Sequence, residues 1–269
     1  MRRFFLLIFI LFSFQHGALA MENGVKQDFI GQWVWSSRDA KIFRDTRLNV
    51  PNLVPCIWVG TISVSDGKVV QRLANSPDLA GQEGPVAVVI RFDDSFNSVW
   101  GKKAVPVVAE ELDKRLNKLT GILADSGTDV QEIQLDYDCP IRHLEYWSKV
   151  VRALKNGSLK GRDVWITSLP CHIQEPRYGS WFRSSVTGHI LQVFDTGVSC
   201  DTATVNGLAG CLRKQQLAFR IGLGAFERIK ESKSTDHRSW FYTLNTFSSI
   251  PEYRGVWVFP GGNRWDYLL

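Results

Sequence analysis

The 269-residue chain lacks the spacings that usually hold metals or phosphates. Its five cysteines, Cys56, Cys139, Cys171, Cys200 and Cys211, form no Cys-x-x-Cys pair and have no histidine-rich partner stretch, which argues against a zinc site. No glycine-rich phosphate loop follows any early strand, which counts against nucleotide binding. The five histidines form no Ser or Cys relay, so nucleophilic catalysis of that kind has little support. No Lys/Arg cluster stands out against a formal net charge of only +5, and a nucleic-acid partner is not expected. No metal or cofactor is expected either. No internal repeat, low-complexity tract or linker divides the chain.

The first twenty residues, MRRFFLLIFILFSFQHGALA, are the distinctive N-terminal feature. Arg2 and Arg3 precede an apolar run from Phe4 to Phe14, and Ala18 and Ala20 close it, which is the pattern of a secretory signal peptide. A membrane anchor needs about 17 to 25 apolar residues. No Leu-x-Gly-Cys lipid-attachment pattern follows. The expectation is a signal peptide over residues 1–20, one domain over 21–269, and a periplasmic or secreted location with no stable membrane span after cleavage. Removal of the two arginines leaves a formal charge of +3. In an oxidising location Cys200 and Cys211 are the first candidates for a disulfide, and Cys139 with Cys171 the second if their strands are neighbours. At least one thiol is left over.

Eight short apolar runs recur along the rest of the chain: QWVWS, CIWVGTISV, GPVAVVIRF, VQEIQLDYD, DVWITSLP, HILQVFD, LAFRIGLGAF and RGVWVFP. Val105, Val108, Leu112, Leu116, Leu119 and Leu123 repeat at helical spacing between the third and fourth. Leu144, Trp147, Val151 and Leu154 do so between the fourth and fifth, and a third helix is predicted over Thr204 to Gln215. Strands alternating with helices imply parallel βαβ units, and eight of them in a chain of this length predict an α/β fold of the (β/α)8 TIM-like barrel class. The early crossovers, Arg38 to Pro55 and Ser65 to Gly84, show little helical pattern, so the barrel is expected to be irregular there. An open doubly wound sheet is the alternative.

The fourth run carries the chemistry. In EIQLDYDCP, period-two alternation sends Ile133, Leu135 and Tyr137 one way and Gln134, Asp136 and Asp138 the other. In a barrel the apolar set packs under the helices, and the polar set points inward and climbs to the C-terminal mouth, where active sites of this fold lie. Asp136 and Asp138 are therefore the candidate catalytic pair, because neighbouring carboxylates can divide acid and base work. The competing readings are a fixed ion pair of Asp136 with Arg91 or Arg220, and a capping role for Asp138 at the helix behind Pro140. Arg91 and Asp93 share the inward face of VVIRFDD, and Arg220 that of its own strand. His172 follows a strand end. Glu175, Asp195 and Glu227 are loop acids that could assist, and Trp181, Trp240 and Trp265 fall in loops where rings could stack on sugars.

IQLDYDCP, VWITSLP, HILQVFDTGVSCD, LAFRIGLGAF and GVWVFP, with QWVWSSR and VVIRF before them, resemble the successive blocks of a bacterial family, domain-of-unknown-function family 3142. That resemblance implies an exported barrel and brings no activity. GLGAFER and VFPGGN depart from the family's blocks. A more distant similarity runs to family-18 chitinases and related glycosidases, whose fourth strand ends in Asp-x-Asp-x-Glu. Gln134 and Asp136 then take the two aspartate positions, and Asp138 takes that of the acid-donating glutamate. This resemblance implies a carbohydrate-active hydrolase acting on a polysaccharide or cell-wall glycan. The alternatives are a non-catalytic glycan- or cell-wall-binding barrel and an envelope interaction protein.

Overall fold

The computed structural model describes residues 29–74, 84–125, 128–230 and 233–268. The expected signal peptide lies outside the described residues.

In chain order the structure begins β1 (Phe29–Val34), α1 (Ser37–Arg47), β2 (Val54–Ser65), β3 (Lys68–Leu73), β4 (Val86–Phe92) and α2 (Val105–Asp125). It continues β5 (Val130–Tyr137), α3 (Leu144–Asn156), β6 (Asp163–Ser168), α4 (Pro170–Ile173), α5 (Tyr178–Phe182), β7 (Gly188–Gln192) and α6 (Thr202–Gln215). It ends β8 (Phe219–Gly224), β9 (Glu227–Lys230), β10 (Lys233–Asp236), α7 (Leu244–Ser248) and β11 (Tyr253–Phe259). The parallel strands run β1-β11-β8-β7-β6-β5-β4-β2, and β1 also pairs with β2, so the sheet closes into an eight-stranded barrel. That closure excludes the open doubly wound alternative. All eight barrel strands coincide with the eight apolar runs, the fourth of them being β5.

The early crossovers are irregular in one place and not in the other. Residues 37–47 form a helix after all: Ser36 caps it by accepting from the Asp39 backbone N–H, and Ala40, Ile42 and Phe43 are buried. That apolar set is too short to stand out as periodicity. After β2 the chain turns back through Asp66 and Gly67, both at positive φ, and β3 pairs antiparallel with β2. The helices α2 and α3 bury Val108, Leu112, Leu116, Trp147, Val151 and Leu154 against the outside of the barrel. Ile133, Leu135 and Tyr137 of β5 belong to that outer core.

A second apolar cluster fills the barrel itself, built on Trp33, Cys56, Val89, Trp165, Ile190 and Trp257. Two glycines make room for its tryptophans. A Cβ on Gly31 would stand 2.2 Å from the Trp257 ring, and one on Gly188 would stand 2.5 Å from that of Trp165. Each glycine is the register partner of the tryptophan it accommodates.

Toward its N-terminal end the barrel encloses charge. Arg220 Nη1 lies 2.5 Å from Glu132 Oε2, with both side chains buried. The guanidinium sits between the rings of Phe29 and Trp165, at 3.8 and 3.9 Å from their centroids. Gln134 continues the chain upward, donating to Glu132 Oε1 at 2.8 Å and accepting from Trp33 Nε1 at 2.7 Å. Arg220, the second residue of β8, therefore neutralises Glu132 and not Asp136.

The cysteines are all free thiols. Cys200 precedes α6 and Cys211 lies well along it, roughly 13 Å away at the helical rise. A disulfide needs Cα atoms within about 7 Å, so this pairing is corrected. Among the described residues no helix is long and apolar enough to cross a membrane.

Removing one partner of the Glu132–Arg220 pair strands a buried charge. Glu132→Gln or Arg220→Met alone is expected to lower unfolding free energy by about 3 to 5 kcal/mol, and replacing both with methionine to recover most of it. Urea denaturation at pH 7 measures this; a loss below about 1 kcal/mol in both single variants would contradict it.

Candidate active site at the C-terminal mouth of the barrel

Asp136, near the end of β5, and Asp138, just beyond it, line a cavity of about 390 Å³. Its floor is the barrel's apolar filling, represented by Trp33 and Val89. Arg91 from the end of β4 stands beside Asp136 in the strand register. Trp35, Phe194 and Phe259 supply ring surface, each continuing the inward alternation of its strand.

The two carboxylates differ in environment. Asp136 is buried, 9% exposed, and accepts a hydrogen bond from Gln192 Nε2 at 3.3 Å. Burial pushes its pKa up to about 6, aided by the charge of Asp138; hydrogen bonding from Thr167 and Gln192 and the charge of Arg91 only partly oppose this. Asp138 is exposed at the rim. Crowding by surrounding protein raises its pKa above the ordinary carboxylate range, with Asp94 adding to the rise and Arg91 opposing it. No hydrogen bond or ion pair reaches Asp138 among the described residues. The short turn Ile141–His143 begins at Pro140 without any side-chain cap, so Asp138 is not a capping residue.

The other candidates separate by position. Asp195, in the loop after β7, lines the same cavity and holds a left-handed backbone at φ 56°. Arg228 Nη2 lies 2.5 Å from its Oδ2, and His237 Nε2 lies 3.4 Å from its Oδ1. Gln134 sits below the floor in the network under Trp33. Asp93 does not line the cavity: it accepts from the backbone and hydroxyl of Ser95 and caps the 3-10 helix Asp94–Val99.

Six further candidates lie off the cavity. His172 is buried; its Nε2–H donates to the Cys139 carbonyl at 2.7 Å while Nδ1 accepts from the Leu169 N–H at 3.1 Å. Burial pushes its pKa down to about 4, and the ring ties the segment after β5 to the start of α4. Glu175 pairs with Arg177 at 3.2 Å away from the cavity. Glu227 opens β9 with an exposed side chain that does not line the mouth. Trp265 is fully buried, donating to Gln32 Oε1 at 2.8 Å, and Trp240 is buried as well. Trp181 lies under Arg177 on α5, with its ring 4.6 Å from the guanidinium. None of these three tryptophans faces the cavity.

Trp35, Gln192 and Phe259 were within reach of the alternation rule that picked out Asp136: each lies two residues beyond an inward Trp33, Ile190 or Trp257. Arg228 gave no such signal, because it arrives on the β9–β10 hairpin. Among the described residues no group of three or more His, Cys, Asp or Glu side chains is placed to hold a metal ion.

No family model matches the chain, and no curated protein does. Solved structures do resemble it. The chitinase from Chromobacterium violaceum ATCC 12472 superposes with a TM-score of 0.61 at 10% identity, covering 90% of this chain and 96% of that one. The spore cortex-lytic enzyme SleL of Bacillus megaterium QM B1551 gives 0.62 at 8% identity, covering 89% and 72%. The ICChI chitinase of Ipomoea carnea gives 0.53 at 12% identity, covering 89% and 97%. At these identities the likeness is one of fold, a (β/α)8 barrel.

The environment of Asp136 has a measurable cost. Its folded pKa of about 6 lies above the ordinary 3.8, so the folded state binds the proton more tightly. The stability this gives is complete below about pH 4 and is lost as pH rises through 6, a change of about 3 kcal/mol. Asp136→Asn removes that dependence. Unfolding in urea at pH 4 and at pH 7 should show the variant gaining on the wild type by about 2.4 kcal/mol between the two; a difference that does not vary with pH would refute the assignment.

Proposed function

We propose that the chain is a carbohydrate-active hydrolase that cleaves a glycan at the mouth of its barrel. The observation that supports this most is the carboxylate pair on one strand face: Asp138 exposed and without a protein partner, Asp136 buried beneath it with a pKa near 6. In this reading Asp138 protonates the glycosidic oxygen of the leaving group. Asp136 acts on it through charge and, by taking up a proton near neutrality, limits the charge that builds up when Asp138 gives its own away. Asp195, fixed by Arg228, is the third carboxylate of the cavity and assists with the positive charge that develops on the sugar ring. Trp35, Phe194 and Phe259 offer faces for the apolar side of a sugar.

The solved neighbours include chitinases and a cortex-lytic enzyme, which is in keeping with a polysaccharide or cell-wall glycan as substrate. Export by the N-terminal twenty residues would put the site in the periplasm or outside the cell, where such polymers lie. The resemblance to domain-of-unknown-function family 3142 is compatible with this reading and adds no chemistry to it.

One observation favours a second reading, a barrel that binds a glycan without cleaving it. Asp138 stands where the chitinase pattern has glutamate, and one methylene less can cost about two orders of magnitude through misplacement.

Product release from a panel of bacterial and plant polysaccharides distinguishes the two. For the hydrolase, Asp138→Asn should lose about 10²- to 10⁴-fold in turnover with unchanged thermal melting, and Asp136→Asn should also fall sharply. Tight binding by the wild type with no product from any polymer would replace the hydrolase by the binding barrel.

A further inference from the structure

The two cations of the cavity are not used alike. Arg228 is held by Asp195 at 2.5 Å, so its charge is answered within the protein. Arg91 has no carboxylate within 4.0 Å and no hydrogen-bond acceptor on its guanidinium among the described residues. It is nevertheless restrained. Its Cζ lies 5.5 Å from the ring centroid of Trp35, and Trp35 stacks on Trp58 with centroids 5.4 Å apart and planes 13° from parallel. Two more donors on the lining also lack partners, the indole Nε1 of Trp35 and the hydroxyl of Thr196. A buried donor without an acceptor is costly, and here a cation and two donors border one cavity.

We infer that the mouth takes a glycan in which a sugar carries a carboxylate, and that Arg91 receives that carboxylate. The inference rests on the glycan reading above and adds the substrate's charge to it. A guanidinium matches a carboxylate with two parallel N–H···O bonds, and an aromatic platform that limits its tilt lowers the cost of fixing it. The carboxylates of the site oppose this anion less than their number suggests. Asp195 is paired with Arg228, and the charge of Arg91 bears on both Asp136 and Asp138, which it partly offsets. A ring carboxylate, as in a hexuronic acid, and an ether-linked one, as on a muramic acid, present the same group to Arg91.

Calorimetric titration of the full chain in an Asp138→Asn background, which suppresses turnover, tests the inference. The probes are oligogalacturonate tetramers and alternating N-acetylglucosamine–N-acetylmuramic acid tetrasaccharides, each native and with its carboxylates reduced to alcohols, plus neutral chitotetraose. At least one native acidic probe should bind about ten- to a hundredfold more tightly than its reduced form. Which probe it is identifies the source of the carboxylate. Adding Arg91→Gln should abolish the preference, so that native and reduced forms bind that variant alike, and Arg91→Lys should keep part of it. Equal affinity for native and reduced forms, or a preference that survives Arg91→Gln, overturns the inference. So does binding of chitotetraose alone, which leaves the glycan site standing as a neutral one. If none of the five probes binds, the inference and the glycan reading both fall.

Discussion

The polar file on the inner face of β5 is the constraint on which the rest of the structure depends. Closure of the barrel forces alternate residues of every strand inward, so Glu132, Gln134 and Asp136 cannot escape to solvent along the strand. A closed interior of this size is ordinarily filled by side chains, and a buried carboxylate there is tolerated only with a partner. The chain resolves the problem from the bottom up. Arg220, clamped between two rings, neutralises Glu132, and Gln134 relays the hydrogen bonding to Trp33. At the level of Asp136 the compensation thins to Gln192, Thr167 and the nearby charge of Arg91, and at Asp138 it ends. The remaining polarity is delivered to the mouth.

The aromatic filling is what keeps these two levels apart. Trp33, Trp165 and Trp257 occupy the barrel with glycines yielding space on the neighbouring strands, so the mouth cavity has an apolar floor and not a channel to the other end. A low-dielectric floor beneath Asp136 is also what raises its pKa. The same packing that stabilises the barrel thus sets the acidity of its site, which links the core to the proposed chemistry through one residue.

Much of this was legible in the sequence, and the reasons are specific. Barrel strands are covered on both faces, so they appear as short apolar runs, and polar residues inside such runs stand out; Asp136, Arg91 and Arg220 were all found that way. What the pattern could not supply was height in the barrel. Arg220 and Asp136 share an inward orientation, but Arg220 pairs with Glu132 near the start of β5 while Asp136 lines the mouth. Residues contributed by loops fared worse. His172, Glu175 and Trp265 had the right chemistry for a site, yet hydrogen bonds and burial commit them to the framework, while Arg228 entered the cavity from a hairpin that no periodicity announced. The hairpin strand β3 was similarly hidden, its only local signature being the Asp66–Gly67 turn.

The central claim is that Asp136 and Asp138 act on each other as a pair at an open mouth. Carbon-13 NMR titration of the aspartate carboxyl groups tests it most directly, in the wild type and in Asp138→Asn. The account predicts that Asp136 titrates near 6 and that its midpoint falls when the charge of Asp138 is removed. A midpoint for Asp136 near the ordinary 3.8, indifferent to the substitution, would contradict it.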